Sequence, residues 1–221
     1  MELPDVPRGG DTGSDSGATS ERGDAGVAER GLRLGGVERL DGERQARQPR
    51  VGAEDGRDGQ PTHAVAGVDD EVRALIDDMI DTMYDAHGIG LAAIRAGVPR
   101  RVLVIDLQEP ESDEEGAPSV KKPLVFINPE ILDGSDGLSV YNEGCLSVPD
   151  QYAEVERPAT IRASWMDRDG RIHEEQLEGL LATCLQHEMD HLQGVLFIDH
   201  LSRLKRDMLL KKLDKARKAA A

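Results

Sequence analysis

Hydrophobic residues fall into two regimes along this chain. Up to about residue 68 they are sparse and follow no period; beyond it they recur at intervals that match helices and strands. In "DDEVRALIDDMIDTMYDAHG" (69–88) apolar side chains stand at Val72, Leu75, Ile76, Ile80, Met83 and Tyr84. Steps of three and four predict an amphipathic helix, with Asp69 capping its start and Gly88 following its end. "RVLVIDL" (101–107) and "PLVFINPEIL" (123–132) are short apolar runs rich in β-branched residues and predict strands. The polar, proline-bearing stretch between them (108–122) predicts a mobile loop. Residues 137–148 and 153–177 predict further strands, with "DRDG" (167–170) as the hairpin turn between "TIRASWM" and "RIHEEQL". Helices follow over about 178–192 and 202–219. The order helix, strands, helix, helix lacks βαβ alternation and predicts an α+β fold.

Composition sharpens the boundary. Residues 1–68 contain no Phe, Tyr, Trp, Ile, Lys or Cys but hold 14 of the 24 glycines, 9 arginines and 13 acidic residues. Such a stretch buries too little apolar surface to offset the entropy of ordering its backbone. We therefore expect residues 1–65 to be a disordered low-complexity segment and 66–221 to be the folded domain. No apolar run follows the first residues, so a signal peptide is not expected, and the acidic content is unlike a mitochondrial transit peptide. The same Gly/Arg/Asp/Ala bias also resembles a mis-started reading frame. No apolar run reaches the roughly 20 residues of a membrane span. Two cysteines, Cys145 and Cys184, without a secretion signal point to free thiols in a reducing compartment. A net charge of −16 argues against general nucleic-acid binding, DNA included.

The chemistry concentrates in "LQHEMDHLQG" (185–194), which contains H-E-x-x-H as His187, Glu188 and His191. On a helix the two histidines lie about 40° apart around the axis and can reach one ion, while Glu188, rotated about 100° from His187, can sit beside a water as general base without ligating. The surrounding helix is otherwise apolar (Leu180, Leu181, Cys184, Leu185, Leu192), so the motif faces the interior, where unpartnered polar groups would be costly. Two histidines need a third ligand to make a catalytic site. Downstream, the metzincin continuation fails, because Phe197 stands where its histidine belongs, and His200 is nine residues beyond His191. Upstream, "NEGCLSVP" (142–149) offers Cys145, whose thiolate is a strong ligand for a borderline-soft ion, with Gly144 allowing close backbone approach. Cys184, three residues before His187, reads as a core residue.

Three segments together, "GIGLAA" (88–93), "EGCLS" (143–147) and "QHEMDH" (186–191), resemble the peptide deformylase family, and the likeness extends through "RVLVID", "FINPEI" and "RDGR" over roughly residues 66–215. The resemblance implies an α+β fold with antiparallel strands around a central H-E-x-x-H helix and a C-terminal helix. It implies a metallohydrolase that removes the formyl group from N-formyl-methionyl peptides in the cytoplasm. Cys145, His187 and His191 would hold one divalent metal ion, Fe2+ by family habit or Zn2+, with Glu188 as general base. The Leu146 backbone N–H would donate to the oxyanion, and Gly88, Ile89, Gly90 and Leu91 would line the substrate cleft. Glu143 and Arg157 would be a supporting pair.

Two departures stand out. In the family a Gln follows two residues after G-x-G-L-A-A and donates to the oxyanion; here the position is Arg95, a longer and charged donor. Losing one such donor typically lowers the rate about 10²–10³-fold, so reduced turnover is expected. Residues 1–65 also lack the opening strand that family members carry, which would leave an edge and part of the core uncovered. The readings these departures leave open are an inactive relative that binds metal or formylated chains without turnover, and an H-E-x-x-H metalloprotease. The C-terminal "LSRLKRDMLLKKLDKARKAAA" holds eight Lys/Arg against two acids, with Leu204, Met208, Leu209 and Leu213 on one side. It is expected to pack as an amphipathic helix, and its basic face is a candidate for contact with ribosomal RNA.

Overall fold

The computed structural model describes residues 61–110, 112, 119–145 and 147–220, the side chains of 217, 219 and 220 excepted. The low-complexity segment up to residue 60, residues 111 and 113–118 of the loop, and Leu146 lie outside the described residues.

Helix α1 (Asp70–Asp85) forms where its apolar spacing predicts. Asp69 caps it, accepting from the Val72 N–H at 2.8 Å. The stripe Val72, Leu75, Ile76, Met79 and Met83 is buried. Past the end His87 takes a left-handed φ of 54°, and the Gly88 N–H returns to the Met83 carbonyl at 2.9 Å. Strand β1 (Gly90–Ala92) follows, then a 3₁₀ turn (Ala93–Ala96) and strand β2 (Val102–Ile105). Strands β3 (Leu124–Gly134), β4 (Leu138–Cys145), β5 (Val148–Pro158), β6 (Thr160–Met166) and β7 (Ile172–Glu178) lead into helix α2 (Gly179–Leu192), a second 3₁₀ turn (Phe197–His200) and helix α3 (Arg203–Ala220).

All named strand pairings are antiparallel. Five strands make one sheet in the order β1-β2-β3-β6-β7, and β4 and β5 pair separately. The alternation of β2 shows how the sheet is clad on both faces. Leu103 and Ile105 join Phe126, Ile161 and Leu177 in a core closed by Cys184, Leu185 and Met189 of α2. Val102 and Val104 point the other way, into the stripe of α1. A third core lies under the smaller sheet, where Val148 and Val155 meet Phe197, Ile198, Leu209 and Leu213. The fold is the expected α+β arrangement with α2 at its centre.

Local differences from the sequence reading have identifiable causes. The packed chain begins upstream of Ala66. His63 makes an isolated parallel bridge with Arg100, and Val65 is buried. Asn128, at a left-handed φ of 50° beside an irregularity of β3, clasps Val65 with both halves of its amide, at 2.8 and 2.7 Å. Composition cannot reveal a partner 63 positions away. Among the described residues no named strand precedes α1. Strand β5 starts at Val148 rather than near 153, because its pairing with β4 runs from Leu138 opposite Pro158 to Cys145 opposite Val148.

Candidate metal centre and active site

Helix α2 has few side chains facing solvent; Ala182 through Met189, with His191 and Leu192, are buried. That environment makes its polar residues informative. His187 and His191 are one turn apart, 1% and 2% exposed, with ring centroids 5.0 Å apart and planes at 84°. Cys145 arrives from the end of β4, where the register with β5 shifts between Gly144 and Cys145. Its Sγ lies 3.3 Å from His191 Nε2 and 3.3 Å from the buried Ser147 hydroxyl. The ligand atoms of Cys145, His187 and His191 all lie within 4.8 Å of one another.

The donor set fits a divalent ion. With metal–sulfur bonds near ~2.3 Å and metal–nitrogen bonds near ~2.0–2.1 Å, donors on one tetrahedral ion stand about 3.3–3.6 Å apart, the separation seen between Cys145 and His191. His187 Nδ1 is committed to Glu143 Oε2 at 2.8 Å, while its Nε2 is buried with no hydrogen-bond partner among the described residues, as is His191 Nδ1. A carboxylate on one ring nitrogen fixes the tautomer and frees the other for a metal. Burial pushes the Cys145 thiol up, but the charges of the neighbouring His191 and His187 imidazoles and the contact with His191 outweigh it and hold the thiol well below its ordinary range. Cys184 lacks such neighbours in its first surroundings, and burial pushes its thiol up to about 12, as befits a core residue.

Glu143 is fully buried on β4, and Arg157 answers it from β5 with a two-pronged contact of 2.6 and 3.0 Å. Burial alone would raise the carboxyl; the hydrogen bonds from His187 and Arg157 overturn that and hold it at about 2. His187 in turn is opposed by burial but supported by Cys145 and Glu143, and stands at about 9 without a metal. The pair that the resemblance implied is therefore the outer support of His187.

Glu188 is 1% exposed and lies against β1. A β-carbon at Gly90 would sit 2.7 Å from Glu188 Oε1 and 2.9 Å from Cys184 Sγ. Gly90 is thus the position at which the strand can lie close over the carboxylate, a role the sequence reading did not assign it. Gly88 and Ile89, just before β1, are buried; Gly90 and Leu91, on β1, are half-buried, and among the described residues β1 pairs with β2 alone and so lies at the sheet edge. The Gly88 carbonyl accepts from Gln108 Nε2 at 3.0 Å and the Ile89 carbonyl from the Asp106 N–H at 2.9 Å. Arg95 sits half-buried on the 3₁₀ turn just after β1, whose Ile94 packs with Cys184 and Leu185.

Two sequence inferences change. Gly144 is needed to make room for a side chain as well: a β-carbon there would clash with the Tyr152 ring. His200, the alternative third ligand, turns away and places Nε2 2.7 Å from Asp190 Oδ2. Ser147 and Asp190 were missed; both lie inside the motifs that were read, Asp190 being the one acid of α2 besides Glu188.

Comparison with known proteins agrees with this geometry. The polypeptide deformylase family model matches residues 57–207. The peptide deformylase of Rhizorhabdus wittichii is 73% identical over 155 residues, covering 70% of this chain and 86% of that protein. That of Novosphingobium aromaticivorans is 68% identical over 164 residues, covering 69% and 87%. Among solved structures, the peptide deformylase of Ehrlichia chaffeensis superposes with a TM-score of 0.68 at 38% identity, covering 78% of this chain and 97% of that one. The Synechococcus elongatus enzyme in complex with actinonin gives 0.64 at 44% identity, covering 75% and 85%. With the matched span holding α1, all seven strands, α2 and the converging cysteine and histidines, this chain belongs to the polypeptide deformylase family.

Proposed function

We propose that this chain hydrolyses the N-terminal formamide of newly made formyl-methionyl proteins, with Cys145, His187 and His191 as metal ligands and Glu188 as the group that moves the proton. The observation that carries the reading is the buried, partnerless His187 Nε2 converging with Cys145 and His191 beside Glu188. When bound, a divalent ion supplies a Lewis acid that can bring the pKa of a water from about 15.7 towards ~7. By family likeness the ion is Fe2+, with Zn2+ as the other candidate for one thiolate and two imidazoles.

Glu188 takes a proton from the attacking water as its oxygen adds to the formyl carbon. It then delivers that proton to the departing amine as the C–N bond breaks, leaving formate and a free N-terminus. The Leu146 N–H and the Arg95 guanidinium donate to the oxyanion formed between these steps. Gly88, Ile89, Gly90 and Leu91 receive the peptide, and the edge position of β1 supports binding as an added strand, in which main-chain hydrogen bonds tolerate many sequences. Arg95 brings a full charge where the family uses a neutral amide, and slower turnover is the expected consequence.

The metalloprotease reading loses support, because neither Phe197 nor His200 joins the ligand group. No helix among the described residues is long and apolar enough to cross a membrane, and we place the reaction in the cytoplasm, where formylated chains emerge. Helix α3 buries Leu209 and Leu213 while Lys211 and Lys212 stay exposed, which supports a basic outer face for ribosomal RNA. Ribosome cosedimentation should weaken with salt and on charge reversal of Lys211 and Lys212; cosedimentation indifferent to both removes this part of the proposal. The main test is anaerobic purification followed by metal analysis and an assay on formyl-Met peptide beside its unformylated counterpart. Release of formate from the first alone is expected. Cleavage of internal peptide bonds, or bound metal without turnover, would overturn the reading.

A further inference from the structure

We infer that Asp190 and His200 are positioning residues that fix metal ligand His187 from outside the site, through Arg157 and Glu143. The inference rests on reading Cys145, His187 and His191 as the ligands. Its basis is a continuous chain of hydrogen bonds and one ion pair running from solvent to the centre of the domain. His200 Nε2, at the exposed end of the second 3₁₀ turn, donates to Asp190 Oδ2 at 2.7 Å. The same oxygen lies 2.9 Å from an Arg157 guanidinium nitrogen. Arg157 then holds both oxygens of Glu143, and Glu143 Oε2 takes the His187 Nδ1–H at 2.8 Å.

Burial rises along this path. Side-chain exposure falls from 35% at His200 to 19% at Asp190, 5% at Arg157 and 0% at Glu143. A buried carboxylate needs a cation in good geometry, and a buried guanidinium has more donors than one carboxylate can satisfy. Asp190 occupies a donor that Glu143 leaves over, so the guanidinium plane is set from two sides. Asp190 is itself half-buried at the last turn of α2, and His200 holds the same carboxylate oxygen that faces Arg157, fixing its rotamer from the solvent side. Each link orients the next, and the last sets the tautomer of His187 that leaves Nε2 for the ion. The Arg206–Asp199 ion pair at 3.0 Å holds the same 3₁₀ turn without joining the chain, and so provides a control.

The test is the rate at which a chelator extracts zinc from the zinc-loaded full chain, read beside the thermal midpoint of each metal-free form. Asp190→Asn should speed zinc loss by about 10-fold or more, within the range of outer support groups, and His200→Ala by less than about 10-fold. His200→Gln, which keeps a donor, should recover most of the wild-type rate. In one chain the effects overlap, so adding His200→Ala to Asp190→Asn should change little further. If Asp190→Asn does not fold, the contrast between His200→Ala and His200→Gln decides alone. Zinc loss at the wild-type rate in His200→Ala, additive effects in the double variant, or an equal increase in Arg206→Ala would overturn the inference. A wild-type chain that takes up no zinc would instead refute the ligand assignment.

Discussion

The wall that would hold the metal and the wall that would hold the peptide are built differently. On the first, Glu143, Cys145 and Arg157 from the β4–β5 hairpin meet His187 and His191 from α2, all at most 5% exposed and linked side chain to side chain. On the second, a three-residue edge strand and a 3₁₀ turn without a side-chain cap offer mainly backbone. Ligation needs particular atoms at fixed distances, so the first wall must be a closed set of partners. Peptide pairing needs repeating N–H and C=O groups, so the second wall tolerates change in its side chains, and Arg95, the departure from the family pattern, stands there.

The largest expected effect joins the two walls. Glu188→Gln should lower deformylation by about 10²–10⁴-fold while metal content stays at the wild-type level. Retained activity would mean that another group moves the proton. Next, the closed-set view of the ligand wall predicts that Arg157→Met, which strands Glu143, destabilises the metal-free protein by about 3–5 kcal/mol in chemical denaturation. A loss under 1 kcal/mol, the range of about 0–1 kcal/mol typical of surface pairs, would show the network to be loose.

On the peptide wall the effects should be those of tuning. Arg95→Gln is expected to raise kcat/KM by up to about 10²–10³-fold, the upper bound being the full worth of one oxyanion donor; an unchanged value would show the departure to be harmless. Gly90→Ala pushes a methyl against Glu188 and Cys184 and should cost about 1–3 kcal/mol as overpacking, seen as a lower thermal midpoint together with a lower rate. A variant as stable and active as wild type would show that β1 shifts freely. The mildest test uses acid. The Glu143 carboxyl is held at about 2 against an ordinary 4.5, so its contribution is fully present above pH 4.5 and is lost as pH falls from there towards 2. Glu143→Gln should flatten stability against pH in that window, and an unchanged slope would assign acid lability to other carboxylates.

Much of this molecule is legible in its sequence where the signal is local. The stripe of α1, the Asp69 cap, the β6–β7 hairpin and the paired histidines of α2 are set by neighbours three or four positions apart or by alternation, and each forms as read. Family likeness then singled out Cys145. The reason for Gly144, the closeness of Gly90 to Glu188, the clasp of Asn128 on Val65 and the path through Asp190 to His200 were not legible.

By itself, then, the sequence determined which residues can ligate and which segments become helix or strand, because residue chemistry and backbone period are short-range properties. Only the tertiary structure decided that Cys145 meets His191 across 46 positions and that Glu143 meets His187 across 44. Those contacts depend on how the β4–β5 hairpin is laid beside α2. That placement follows from the packing of three hydrophobic cores, which no local pattern encodes.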